Sequence, residues 1–402
     1  MAGWLYLSVV IFGAALVANA ARPRTSPNLM VPSWLLALLT IDLAPQQLTL
    51  LILVSGGFFW AGAFNGMPGQ IGLLLAGISA LLLMILWWPA RSAAAVAETT
   101  AASLGLDQVP GVPREWLMTP FKRVAPGVRV TRDVEFRRIA GRSLKLDVYQ
   151  SQVGNGRRPA LVYVHGGAWM YGDKRSQGLP LCNYLASLGW VCFNINHRLS
   201  PGATYPDHVV DCKAAIAWVR EHAHAYGVDP RLIALSGGSS GAHISAMTAL
   251  TDNDADLQPG FECADTSVQA VVSNYGVFDL TNRLGLHHPQ FLTTIIGPLV
   301  IKAFPDSEPE RFAAASPQDH VGSGTMPWLI IHGESDSLAP AAEARAFAAG
   351  LRAAGNPWVG YAEFPHALHG FDLWYCHRAI ATVELTARFL NTVHRRARDK
   401  PE

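Results

Sequence analysis

The sequence predicts an α/β protein in which a mainly parallel β-sheet is covered by helices on both faces, preceded by two or three apolar helices of membrane-crossing length. Three observations lead there. Half of the 402 residues are apolar and only 15% are charged, and the apolar excess is concentrated in roughly the first ninety positions. From about residue 128 onward, short β-rich apolar runs alternate with amphipathic helical patterns, the signature of strand–helix–strand units. Between these two regions the texture changes to small residues and then to Pro/Gly punctuation.

The amino-terminal elements come first. The runs 3–21 and 71–88 carry no charge and each approaches the ~20 residues that a helix needs to cross ~30 Å of hydrocarbon. A third run, 47–64, follows "WLLALLT" and is separated from it by Asp42 and Pro45, so three spans are expected, with two as the fallback if the middle segment is re-entrant. Trp4, Trp34, Trp60, Trp87 and Trp88 fall near the run ends, where amphipathic rings favour the headgroup zone. The start "MAGW" lacks the positive charge of a cleaved secretory signal, so the first run is expected to be retained. Arg22, Arg24 and Arg91 bias residues 22–33 and everything after 90 toward the cytoplasm, and the expected localisation is a multi-pass membrane protein with a cytoplasmic body. Five unpaired-looking cysteines, an odd number without C-x-x-C spacing, agree with reduced thiols and give no disulfide framework or structural zinc site. A net charge of +1 with no basic block argues against nucleic-acid binding.

Residues 91–127 read as a small-residue helical stretch followed by a linker, and 128–402 as the folded body. "VRVTRDVEFRRI" and "SLKLDVYQS" form a hairpin around "AGR". Six further strands are expected at "PALVYVHGG", "WVCFNINHR", "LIALSGG", "VQAVVSNYG", "PWLIIHGE" and "WVGYAEFP", with helices such as "VVDCKAAIAWVREHAHAYG" and "AAEARAFAAGLRAAG" between them. In a sheet of this kind, chemistry gathers at the carboxyl ends of the strands. Residues 277–325, the longest interval between strands, are either a lid or a crossover helix.

Three serines crowd "LIALSGGSSGAH", but only Ser239 sits centrally in a G-x-S-x-G frame between a strand and a helix. Small neighbours permit the strained turn that lifts a hydroxyl clear of the backbone. Ser236 falls too early, at the strand end, and a frame on Ser240 would leave Ala242 where glycine is needed. Its partners would be a base and an orienting carboxylate. Asp336 lies just past one strand end and His369 past the next, with Glu334 and His366 as their respective alternatives. After another strand, His165-Gly166-Gly167-Ala168-Trp169 offers backbone N–H groups to a developing oxyanion. His332, His222, His224 and the pair His287–His288 read as surface or packing residues.

The motifs "HGGAW", "HRLSPGATYPDHVVDCKAAIAWV", "GGSSGAH", "HGESDSLAP" and "HALHGF" together resemble the hormone-sensitive-lipase-like esterase branch of the α/β-hydrolase superfamily, over about residues 130 to 395. With the apolar runs in front, the whole chain is similar to membrane-anchored actinobacterial esterases. The resemblance implies an α/β-hydrolase fold, Ser239 as nucleophile, His369 as general base and then acid, and Asp336 as the carboxylate that fixes its tautomer. It further implies oxyanion donors at Ser240 and at two of Gly166, Gly167 and Ala168, and neither metal nor organic cofactor. Four positions depart from the family pattern: Ala168 replaces a glycine, Gly238 an acidic residue, Ser240 an alanine and His197 a tyrosine. Trp169, Tyr171 and Phe371 flank the motifs as pocket-lining or packing aromatics.

The expected activity is hydrolysis of carboxylic esters, of short or medium acyl chains or derived from lipids, with membrane lipids as the other partner. The alternative is an amide or formamide hydrolase like the arylformamidases, since one triad serves both chemistries. A third reading is a non-catalytic ligand-binding protein on the same fold, which would ordinarily have lost a triad member.

Overall fold

The computed structural model describes every residue except 25, 154–155, 288–289, 323, 325 and 400–402. Four apolar helices open the chain: α1 (Ala2–Ala21), α2 (Pro27–Asp42), α3 (Ala44–Trp60) and α4 (Met67–Trp87). A tight turn at Trp88–Arg91 carries α4 almost without interruption into α5 (Ser92–Leu104), so the run expected at 71–88 and the small-residue helix after it form one helical rod, Met67–Leu104. By length and composition α1 and that rod could each cross a membrane; α2 and α3 form a pair bent by 78°, which counts as a third span if taken together. Glycines set the closeness of the α1–α4 contact. A Cβ on Gly72 would lie 2.8 Å from the Tyr6 ring, the kind of approach that small residues allow between apolar helices.

The sheet has eight strands in the order β1-β2-β4-β3-β5-β6-β7-β8: β1 (Val128–Ile139), β2 (Arg142–Ser151), β3 (Arg158–Val164), β4 (Val191–Ile195), β5 (Val228–Gly238), β6 (Ala270–Asn274), β7 (Trp328–Gly333) and β8 (Val359–Phe364). The expected hairpin is β1–β2, β2 runs antiparallel to β4, and all later pairs are parallel. Each of the six apolar runs forms the strand expected of it, and most are buried on both faces, as parallel strands under helices must be. Alternate residues of β3 show this directly: Val162 and Val164 join one core, Leu161 and Tyr163 the other.

The first core is closed by α7 (Asp207–Glu221), α9 (Ser240–Leu250) and α11 (Ala341–Ala353), through Ile216, Ile244 and Phe347. The short α8 (Ala223–Tyr226) follows α7. The second core is closed by α6 (Leu179–Ser187), by α12 (His377–Arg398) and by α5. Between them, α10 (Pro309–Ala314) belongs to the interval 277–325, together with a π-helix at Phe291–Ile301 that buries Leu292, Ile296, Val300 and Ile301 in the first core.

The stretch 91–127 is built into the second core. Ala93, Ala97 and Ala101 recur every fourth residue, and this methyl-only stripe is buried against that core alongside Leu106, Val112, Trp116 and Ala125. Polar bonds to α12 hold it there, Val112 N donating to Glu384 at 2.8 Å and Asp107 N to Thr392 at 2.9 Å.

The join between β5 and α9 leaves no room for a side chain. A methyl on Gly241 would lie 2.1 Å from the Val164 carbonyl oxygen and 2.6 Å from that of His165, both backbone atoms that cannot swing aside. Gly241→Ala is therefore expected to cost about 1–3 kcal/mol by overpacking and to lower the thermal midpoint by roughly 2–10 °C, measured by scanning calorimetry or circular dichroism.

Candidate active site

Ser239 stands between the last residue of β5 and the first of α9 with φ 57° and ψ −125°, a conformation that non-glycine residues rarely adopt. The turn has no room for side chains on either flank. A Cβ at Gly237 would lie 2.5 Å from Gly241 backbone atoms, and one at Gly238 would lie 2.7 Å from the Tyr275 hydroxyl. Tyr275 thus fills the space that a side chain at 238 would need. Its hydroxyl donates to buried Asp372, and its ring meets the His369 ring edge-on at 4.8 Å.

The three candidate residues converge. His369, in the loop after β8, places Nε2 2.8 Å from Ser239 Oγ, and its Nδ1 lies 2.7 Å from Asp336 Oδ2. Asp336 is fully buried past the end of β7, and its Oδ1 accepts from the amides of Leu338 at 2.9 Å and Ala339 at 2.8 Å. Burial alone would push the carboxyl up, but the neighbouring His369 and His332 outweigh it and hold it well below the usual carboxylate range. It is therefore ionised across the neutral range, and fit to hold the imidazole with Nδ1–H directed at it.

His332 was read as a packing residue. It is buried, but it also stands four positions before Asp336 with Nε2 3.4 Å from Oδ2, fixed by donating to the Ala339 carbonyl at 2.8 Å. Its position on β7 gave no signal, because strand residues four apart are brought together only by the turn that follows. The alternatives lie elsewhere: Glu334 and His366 are both exposed and bonded to each other, His366 N donating to Glu334 at 2.9 Å. Ser236 is buried within the sheet between Tyr163 and Val272. The Ser240 hydroxyl accepts from Trp169 N at 3.1 Å, tying the elbow to the glycine loop. Of the pair His287–His288, His287 is buried 2.5 Å from Glu343, and His288 lies outside the described residues.

The glycine loop separates its own donors. The N–H of Gly166 is committed to Gln177 Oε1 at 2.7 Å, whereas among the described residues those of Gly167 and Ala168 meet no protein acceptor. Gly167, Ala168 and Trp169 take φ of 127°, 52° and 61° in succession. Successive backbone N–H groups in a turn can serve an anion, and those of Gly167 and Ala168 are left available for one. The N–H of Ser240, in the first turn of α9, has no intrahelical acceptor either.

Four buried histidines back this loop. The His165 ring stacks on His197 at 4.4 Å, His197 meets His208, and His208 Nε2 lies 3.2 Å from Ser200 Oγ. Trp169 Nε1 donates to His243 Nδ1 at 3.1 Å, so His243 donates from Nε2 to the Ala315 carbonyl at 2.7 Å. Burial, chiefly, depresses all four: His165 to about 3, His208 to about 2, His243 to about 4, and His197 in the same direction.

A family model described as BD-FAE matches residues 146–351. The chain is 40% identical over 314 residues to the protein named Esterase LipQ of Mycobacterium tuberculosis, covering 78% of this chain and 71% of that one. It is 43% identical over 256 residues to Probable carboxylic ester hydrolase LipM of the same organism, covering 63% of this chain and 59% of LipM, less than two thirds of its length. Among solved structures, the thermophilic esterase Est2 of Thermogutta terrifontis with propionate bound is similar with a TM-score of 0.56 at 29% identity, over 67% of this chain and 95% of that one.

The buried histidines fix a pH response. Each has a folded pKa below its unfolded value, so the unfolded chain binds more protons in acid and stability falls as pH drops below about 6.5, by about 1.4 kcal/mol per pH unit per group. Asp372, raised to about 6 mainly by burial, opposes this with one proton of the other sign. The net expectation is a steep fall in the unfolding midpoint between pH 7 and pH 5, flattened by about one proton in His243→Gln, whose amide can accept from Trp169 and donate to Ala315. Urea titrations at pH 7, 6 and 5 measure both slopes.

Proposed function

This chain belongs to the hormone-sensitive-lipase-like esterase branch of the α/β-hydrolase superfamily and is a carboxylic-ester hydrolase; from that premise we propose that it works through an acyl-Ser239 intermediate at a membrane surface. The observation that carries the mechanism is the unbroken hydrogen-bond relay from Ser239 through His369 to Asp336. A serine hydroxyl is a poor nucleophile at neutral pH. His369 Nε2 takes its proton as Oγ attacks the ester carbonyl, and ionised Asp336 stabilises the imidazolium so formed.

The carbonyl oxygen becomes an anion in the tetrahedral intermediate. The N–H groups of Gly167, Ala168 and Ser240 receive it, each such donor being worth about 3–4 kcal/mol in the transition state. His369 then protonates the leaving alcohol. Water, deprotonated by the same imidazole, attacks the acyl-serine, and a second collapse releases the acid. No step calls on a metal or an organic cofactor.

The segment 277–325 is proposed to cap this site. Its π-helix is seated through the Val300 carbonyl, which accepts from Tyr205 N and Thr204 Oγ1, each at 2.8 Å, and the Ala315 carbonyl holds His243. The acyl groups are proposed to be short or medium, or those of lipid-derived esters presented from a bilayer. The propionate bound by the structural neighbour favours the short end for that protein. We further propose that α1, the bent pair and α4 cross the membrane, leaving the hydrolase on the cytoplasmic side. The apolar side chains that α1, α3 and α4 leave exposed support this, Phe12, Ile52 and Leu74 among them.

Two measurements test the reading. A fluorophosphonate probe is expected to label the wild type, Ser236→Ala and Ser240→Ala but not Ser239→Ala, and Asp336→Asn to lower kcat on p-nitrophenyl esters by about 10⁴-fold. Labelling that persists in Ser239→Ala, or turnover of N-formyl and anilide substrates above that of esters, overturns it. For topology, a carboxyl-terminal reporter fusion is expected to report the cytoplasm, and a periplasmic signal refutes the orientation.

A further inference from the structure

The helical region in front of the hydrolase reaches the catalytic histidine. Trp34, on α2, donates its indole N–H to the main-chain carbonyl of His369 at 2.7 Å, across 335 positions of sequence. Among the described residues no other donor serves that carbonyl. The two rings meet edge-on at 6.0 Å, and a Cβ on Gly370, which follows His369 with φ +77°, would lie 3.3 Å from the Trp34 ring.

The contact is anchored on both sides. Leu368, directly before the histidine, is buried with Ala20 of α1 and with Ala37, Leu38 and Ile41 of α2, and Leu373 and Trp374 pack against the same cluster. At the end of α2, buried Asp42 pairs with buried Arg378 at 3.0 Å, and Arg378 also donates to the Pro365 carbonyl, so both ends of the histidine loop are tied to one helix. The other face of α2 presents exposed Leu29, Val31, Leu35 and Leu36. That helix therefore lies between the histidine loop and whatever apolar medium covers those side chains.

We propose that Trp34 is a positioning residue for His369, which makes α1 and α2 a working part of the active site in addition to a tether. The inference rests on the triad reading above. The loop 365–376 carries an imidazole that must meet Ser239 Oγ at 2.8 Å, and a displacement of about 1 Å at such a contact costs on the order of 100-fold in rate. One indole bond, made in an apolar cluster where the carbonyl would otherwise lack a partner, holds the residue's own main chain. The indole acts on His369 through its main chain and the edge of its ring, and makes no hydrogen bond to Ser239 or Asp336.

The test uses the full-length protein in detergent and in lipid vesicles, with Trp34→Phe, which keeps a ring against Gly370 but has no donor. Rates are expressed per active site titrated with the fluorophosphonate probe, so that misfolded molecules do not enter the count. The expected result is a kcat about tenfold lower with KM within about twofold, a probe-labelling rate reduced by a similar factor, and no change in Trp60→Phe, whose ring is exposed on α3. Wild-type kcat per titrated site in Trp34→Phe overturns the proposal, as does a loss confined to the titre of active sites, which marks a purely structural contact. Labelling that survives Ser239→Ala instead defeats the triad reading itself, whatever Trp34 does.

Discussion

The left-handed backbone of Ser239 is the constraint on which the rest of the structure depends. A residue with a side chain holds φ 57° only because its surroundings leave no alternative, and those surroundings are backbone: the Val164 and His165 carbonyls against Gly241, and the Gly241 main chain against Gly237. The strain is repaid by what it positions. It points a hydroxyl off the rim of the sheet, starts α9 with a free amide beside it, and fixes the point that the loops after β3, β7 and β8 must reach.

Those loops are stiffened by different means. The glycine loop after β3 leans on four histidines kept neutral by burial and is tied to the elbow through the Ser240 hydroxyl. The acid loop after β7 saturates Asp336 with two amides and two imidazoles. The histidine loop after β8 is held from outside the sheet, by Tyr275 on one side and by the amino-terminal helices on the other. An unsatisfied polar group is costly in such low-dielectric surroundings, so each loop has few alternative conformations.

What could be read from the sequence divides along the same lines. The strands were legible because each is a continuous apolar run ended by turn residues, and the candidate residues Ser239, Asp336 and His369 could be picked out because each follows such a run. Three features were not. Which amides of residues 166–168 are unoccupied depends on the side chain of Gln177, eleven positions away, and backbone donors leave no mark in a sequence. Leu106, Val112 and Trp116 join the second core without any periodicity, so the stretch 91–127 looked like a connector. Trp34 resembled an ordinary interfacial tryptophan at the edge of an apolar run, and its bond to a residue 335 positions later is a product of tertiary packing alone.

The rod from Met67 to Leu104 also bears on how the enzyme can move. At 38 residues and 1.5 Å per residue it is about 57 Å long, nearly twice the thickness of a bilayer's hydrocarbon, and its last three turns are bolted to α12 on the flank of the sheet. Only the tight turn at Trp88–Arg91 lies between the apolar end and the folded body. Tilt or rotation of the helix would therefore be passed to the sheet through that turn, while α1 and α2 grip the histidine loop as a second point of attachment.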